Sequence, residues 1–447
     1  MSGAIGKSAS YRNMRSIENT HKLGWVVFCC LALWFALAPF LKAGDGDASR
    51  AIGVLIVVVT GALSVMCMLT RRQVTYLVPL SMLLVLYFLC RIAPDNAWGS
   101  AVVWIRAAGS FFLFSFFLQF LRKEQTPRCL DVVVYLGAGF AAYTIVQFVL
   151  FNVSIHLAYA IFGQNAYWGG LVGGHVLRPS GPLNSIGGSA SIISMGIMAL
   201  HLRWREWPKT RRLVMLCVML VGLYFNFTRT FVFLLIGYFT IIYVMKGGLK
   251  AALKLPLIIA AVGIAIVPII GVDRIVDRLS DIPIIGSGKI GQGAFEGRDL
   301  LLEITMTKFY SGKPDYVFGN GLSWSEDAIS AHYSHLTDTM ESSTHDDIVW
   351  LLVNTGVVGI ALYLLFIFGA ARVCYRERNW PALLFLLLFV FLSGLGGESI
   401  SISGHRYMQM TFLAILLLSG SRLNEHRQQR RMILNQLPEM QLRSGPP

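Results

Sequence analysis

Charge is scarce in this chain of 447 residues. Only 14% are Asp, Glu, Lys or Arg, against about a quarter in a soluble domain. A soluble chain that is 55% hydrophobic, with mean hydropathy +0.61, would lack the polar surface to cover its core. Cysteine is sparse too. The seven residues (Cys29, Cys30, Cys67, Cys90, Cys129, Cys217, Cys374) lie mostly inside apolar runs and have no metal-ligand spacing, which points to packing. Several reaction signatures are missing. There is no Gly-x-Ser-x-Gly and no His-Glu-x-x-His. Gly286-Ser-Gly-Lys-Ile-Gly-Gln-Gly293 lacks the Gly-Lys-Ser/Thr end of a P-loop. No small-residue cleavage site follows the first apolar run, so no cleaved signal peptide is expected.

What the chain has instead is long apolar runs. Helices are predicted near 23–41, 51–69, 74–90, 100–121, 129–151, 185–202, 213–227, 229–245, 252–271, 346–370, 381–395 and 407–420. The runs are continuously apolar rather than alternating, which disfavours a strand barrel. The expected fold is an all-α polytopic membrane protein of about 12 transmembrane helices with a large periplasmic loop. Its parts are a cytoplasmic N-terminus at 1–22, helices 1–9 over 23–271, the loop over 272–345, helices 10–12 over 346–420, and a basic cytoplasmic tail over 421–447. The loop is the one long hydrophilic segment. Trp324, Tyr310, Tyr316 and Phe318, with amphipathic character around 298–310, favour an ordered structure for it.

The net charge of +14 fits either nucleic-acid binding or membrane topology. Its distribution favours topology. Bases gather in alternate connections, at Arg71 and Arg72; Arg122, Lys123 and Arg128; Arg203, Arg205, Lys209, Arg211 and Arg212; and Arg372, Arg376 and Arg378. The intervening segments near 42–50 and 91–99 hold only Lys42, Arg50 and Arg91. That is the positive-inside pattern, and no nucleic-acid partner is expected.

Candidate chemistry lies on the base-poor side. Arg229, in Asn226-Phe-Thr-Arg-Thr, separates two apolar runs; it reads as a functional group or as an arginine snorkelling to the interface. Arg298 opens a helix inside the loop and by itself reads as a solvated base beside Glu296 or Asp299. His345, in Ser343-Thr-His-Asp-Asp347, precedes a membrane helix. There it can stay neutral and accept a hydroxyl proton, or be incidental to a helix cap made by Thr344 or Asp346. Gly356-Val-Val-Gly359 is expected to allow close helix packing. Arg178, Glu398, His405 and Arg406 fall on the same side, whereas Arg106 is the clearest charge inside a helix. Clustered guanidinium groups suit a phosphate or pyrophosphate, which each can grip with paired, charge-assisted hydrogen bonds. Asp346-Asp347 has no matching carboxylate cluster, so neither a metal nor a cofactor is expected.

Arg178-Pro-Ser-Gly-Pro-Leu-Asn184, Phe227-Thr-Arg229, Gly297-Arg298, Phe318-Gly-Asn-Gly321 and His345-Asp-x9-Gly356-x-x-Gly359 together resemble the O-antigen ligase and Wzy-type polysaccharide polymerase superfamily of bacterial inner membranes. The resemblance spans about 100–420 and departs at Asp346, where relatives often carry Asn, Ser or Gln. It implies a GT-C-like, metal-independent, inverting glycosyltransferase with its active site facing the periplasm. The donor would be an undecaprenyl-pyrophosphate-linked glycan. His345 would be the base, with Arg229 and Arg298 on the pyrophosphate. Arg178, Asn184, Asp346, His405 and Arg406 would bind substrate. The leading reading is a polymerase joining repeat units for O-antigen, capsule or exopolysaccharide. A ligase using a lipid A-core acceptor is the alternative, and a polysaccharide transporter or flippase is the third reading. Membrane lipids, a chain-length regulator and a flippase are the implied partners.

Overall fold

The computed structural model describes residues 22–37, 47–70, 75–162, 167–168, 178–183, 185–226, 228, 230–245, 247, 296–312, 314–325, 327–328, 347–392 and 406–420. In chain order its helices are α1 Lys22–Leu37, α2 Asp47–Thr70, α3 Leu77–Cys90, α4 Ala97–Phe120, α5 Thr126–Val153, α6 Ile155–Phe162, α7 Ile186–Leu202, α8 Lys209–Asn226, α9 Thr230–Met245, α10 Glu296–Ser311, α11 Asp347–Arg376, α12 Trp380–Leu392 and α13, 406–420. A two-residue antiparallel ribbon, β1 Tyr167–Trp168 with β2 Arg178–Pro179, lies between α6 and α7.

The predicted helices fall on these elements, save 252–271, which lies outside the described residues, as do most of 272–345 and the tail from 421. The helix starts are written in the sequence. The Asn96 side chain accepts from the Gly99 amide at 3.1 Å and opens α4. Ser185 does the same for Gly188 at 3.1 Å and opens α7. Asn379 accepts from Ala382 at 3.3 Å and opens α12, followed by Pro381. Each satisfies an amide that a first helical turn leaves free.

Helices α4, α5 and α11 are long and apolar enough to cross a membrane. Six shorter apolar helices accompany them among the described residues. The distribution of polarity says what solvent they meet. Large apolar side chains point outward, with Leu69 78% and Phe368 65% exposed, while Ser81, Ser115, Gln147, Asn226 and Gln409 are buried. Water would favour the reverse. A bilayer favours this arrangement, because apolar surface costs nothing there and polar groups must find partners inside. The chain is a helical membrane protein.

Helix α5 packs against α7 and α8, α4 against α2 and α3, and α3 against α11. Small residues set the closest approach. A Cβ on Gly137 of α5 would lie 2.8 Å from the Gly196 Cα of α7, too near for anything but glycine at that crossing. The bundle has two chemically distinct ends. One is basic: the α4–α5, α7–α8 and α11–α12 connections meet there. Arg203 grips Asp131 through two nitrogens at 3.1 Å, and Asn379 Nδ2 donates to the Leu416 carbonyl at 2.7 Å. The opposite end carries Arg406, at the start of α13, and the β2 ribbon strand.

Candidate functional site

Helix α11 is broken. Gly356 has φ +69° and ψ −171°, a conformation that side-chain-bearing residues avoid, and two helices of 347–355 and 357–376 meet at it. A straight helix would put Trp350 about 24 Å from Phe366. Instead a short relay of ring contacts links them, Trp350 to Phe88 at 6.1 Å, Phe88 to Phe111 at 6.3 Å and Phe111 to Phe366 at 5.3 Å between centroids. The segment 347–355 therefore folds back beside 357–376, with its N-terminus directed into the bundle. The spanning part of α11 is 357–376, still about 30 Å long.

A break in a membrane helix leaves amides and carbonyls without partners. The chain just after α10 supplies them. Asn320 and Gly321 amides donate to the Val353 and Asn354 carbonyls at 2.8 and 3.1 Å, and the Val357 amide donates to Tyr316 O at 2.8 Å. Tyr87 Oη caps the Thr355 carbonyl at 2.6 Å. Arg91 then holds the Gly319 carbonyl at 2.7 Å, and Asn354 Nδ2 reaches Ser325 Oγ at 2.8 Å. Gly356 was expected to serve helix packing. It serves backbone entry, because a Cβ there would overlap the Val317 carbonyl.

At the inward tip of the half-helix, Asp347 Oδ2 accepts from Arg406 Nη2 at 2.6 Å. Both residues are buried, at 1% and 3% exposure. Arg406 Nη1 also donates to the Val390 carbonyl at 2.9 Å and to Gln409 Oε1 at 3.0 Å. Val390 belongs to the π-wound stretch Phe385–Leu392. Its carbonyl is one of those a helix C-terminus leaves open. Gln409 Nε2 continues the network to Ser191 Oγ of α7 at 2.8 Å.

Helix α7 also anchors the segment around β2. Ser189 Oγ donates to Ser180 O at 2.9 Å, and Gln147 Oε1 accepts from the Gly181 amide at 3.0 Å. Asn226 Nδ2, at the end of α8, reaches Pro179 O at 3.5 Å. Residues 179–182 are buried as a result. The β2 backbone thus lies against the end of α8.

Of the candidate residues, Arg406 is fully described and is a buried, paired group. Arg178 lies in β2 and Arg298 in the first turn of α10. His345, Asp346, Asn184, Arg229 and His405 lie outside the described residues. The elements that flank them converge on the end opposite the bases: β2, the ends of α8 and α12, and the starts of α7, α9, α11 and α13. Gln409 had no signal in its sequence context, and Asp347 only that of an adjacent carboxylate pair; the fold shows Asp347 facing a cation. Among the described residues, no group of three His, Cys, Asp or Glu side chains could hold a metal. No protein-family model matches the chain, and no curated protein matches it in sequence.

Proposed function

We propose that the protein is a polysaccharide polymerase of the bacterial inner membrane, joining undecaprenyl-pyrophosphate-linked repeat units at the periplasmic face for O-antigen, capsule or exopolysaccharide. In this reading it is a metal-independent, inverting glycosyltransferase of GT-C-like architecture. It has twelve spans, cytoplasmic termini, and 272–345 in the periplasm. The observation that supports it best is the convergence of β2, the end of α8 and the Asp347–Arg406 pair, linked through α7, on the base-poor end. His345 precedes Asp347 by two residues. In the proposed step it takes the proton of an acceptor hydroxyl whose oxygen attacks the anomeric carbon. The glycosidic bond to pyrophosphate breaks with inversion, and Arg229 and Arg298 receive the departing charge. A ligase differs only in its acceptor, lipid A-core. The broken helix favours a second reading, because flippases and transporters place discontinuous helices at midplane binding sites.

Transfer of a purified lipid-linked glycan tests the reaction. His345→Gln is expected to slow it about 10² to 10⁴-fold. Arg229→Lys and Arg298→Lys should also fail, since a point charge cannot replace a forked donor, and a chelator should change nothing. Near wild-type rates for His345→Gln would sink the base assignment. Glycans accumulating after gene deletion separate the readings. Single repeat units on the outer leaflet indicate a polymerase, long lipid-linked chains a ligase, and repeat units held on the inner leaflet a flippase. A reporter fused after residue 320 should report the periplasm, and a cytoplasmic signal there would remove the topology on which the site depends.

A further inference from the structure

Arg106 belongs to none of the networks above. It is the tenth residue of α4, about 14 Å along the helix from Ala97. It is exposed, and it has no hydrogen-bonding or ionic partner among the described residues. Its neighbours on the same helical face are Trp98, 82% exposed, then Val102 and Ile105. Tyr407 closes that face: its hydroxyl reaches toward the carbonyl of Ile105, the residue before Arg106, at 3.5 Å, and its ring lies against Gly109 one turn further on. Arg106 and Arg406 thus lie on two sides of the first turn of α13, and only Arg406 is neutralised by an acid. The other carboxylates described at this end are engaged. Asp315 holds the Val317 and Phe318 amides, and Asp327 holds Asn96 and Ser323.

An uncompensated guanidinium on the outward face of a spanning helix is costly to keep dry. Positive-inside topology does not call for it at this end. Helical side chains lean toward the helix N-terminus, which here is the outward end, so the guanidinium rises toward headgroup level. The anion abundant at that level is the phosphate of a lipid, and a guanidinium grips phosphate with two parallel hydrogen bonds. We infer that Arg106, beside Tyr407 and below Trp98, is a binding site for the phosphate or pyrophosphate headgroup of a membrane lipid that approaches from the bilayer side. The choice of a polyprenyl carrier as that lipid rests on the proposed reaction; the site itself does not.

The test is lipid binding to the purified full chain in detergent, by native mass spectrometry. The probes are a polyprenyl pyrophosphate, a polyprenyl monophosphate and phosphatidylglycerol. Arg106→Gln is expected to weaken binding about tenfold, and Arg106→Lys, which keeps the charge and so the fold, about threefold. Loss confined to the polyprenyl probes identifies the carrier as the ligand. Equal loss of phosphatidylglycerol identifies a general headgroup site. Unchanged binding of all three probes by both variants overturns the inference. A protein that binds polyprenyl pyrophosphate through Arg106 yet transfers no glycan would overturn the proposed reaction and leave the site standing.

Discussion

Asp347→Ala is expected to destabilise the purified protein by about 3–5 kcal/mol, because it strands the buried Arg406 guanidinium among helices α7, α11 and α12. The loss should be read as a fall in the thermal unfolding transition in detergent. Arg406→Ala should behave similarly, removing the cation that Asp347 Oδ2 holds at 2.6 Å. The double variant Asp347→Leu/Arg406→Met is the informative one. Replacing both ions by apolar groups of similar volume is often neutral or better, so it should recover most of the stability. If the half-helix tip is also where substrate is held, the recovered protein will fold and still transfer poorly. A single-variant loss below about 1 kcal/mol would show that water reaches the pair and that it braces nothing.

Alanine at Gly356 or Gly319 is the second large perturbation. Both glycines have positive φ, +69° and +74°, and an added Cβ at either would overlap the partner backbone: the Val317 carbonyl for Gly356, the Thr355 amide for Gly319. The conformation alone costs about 1–3 kcal/mol for a non-glycine residue. The overlap adds to this and should lift residues 316–322 off the break. Protease cleavage between 312 and 328 should then rise sharply in both variants, together with a lower unfolding transition. Gly139→Ala is the control, since nothing lies within 4 Å of the added carbon; it should change stability by no more than about 0.5 kcal/mol. Unaltered cleavage in Gly319→Ala would mean that the loop is held elsewhere.

Helix positions were legible because one residue-level property, apolar continuity over about 20 residues, dictates them. The predicted 185–202 and 229–245 match Ile186–Leu202 and Thr230–Met245 nearly residue for residue. The break at Gly356 was not legible. The run from Ile348 onward stays apolar through it, and the partner that satisfies the broken backbone comes from 316–322, far away in sequence. Asp347 was hidden for a related reason: its cation is 59 residues downstream. Arg178 and Arg229 were legible as polar interruptions of apolar sequence. The hydrogen bond that draws their segments together runs instead between Asn226 and the Pro179 carbonyl, which no local pattern announces.

The pinned break has a consequence for how the protein is made. Residues 316–322 leave the ribosome ahead of 353–358, which at about 5–20 residues per second is a lead of roughly 2–7 s. The bonding partner of the fractured backbone is therefore synthesised first. A segment with unsatisfied amides and carbonyls is poorly tolerated in hydrocarbon, so 347–376 can enter the bilayer as one uninterrupted helix and bend only when it meets the waiting strand of backbone. The order of synthesis thus protects the weakest stretch of the chain during assembly. A rearranged gene that placed 296–328 after α13 would encode the same contacts and lose that protection.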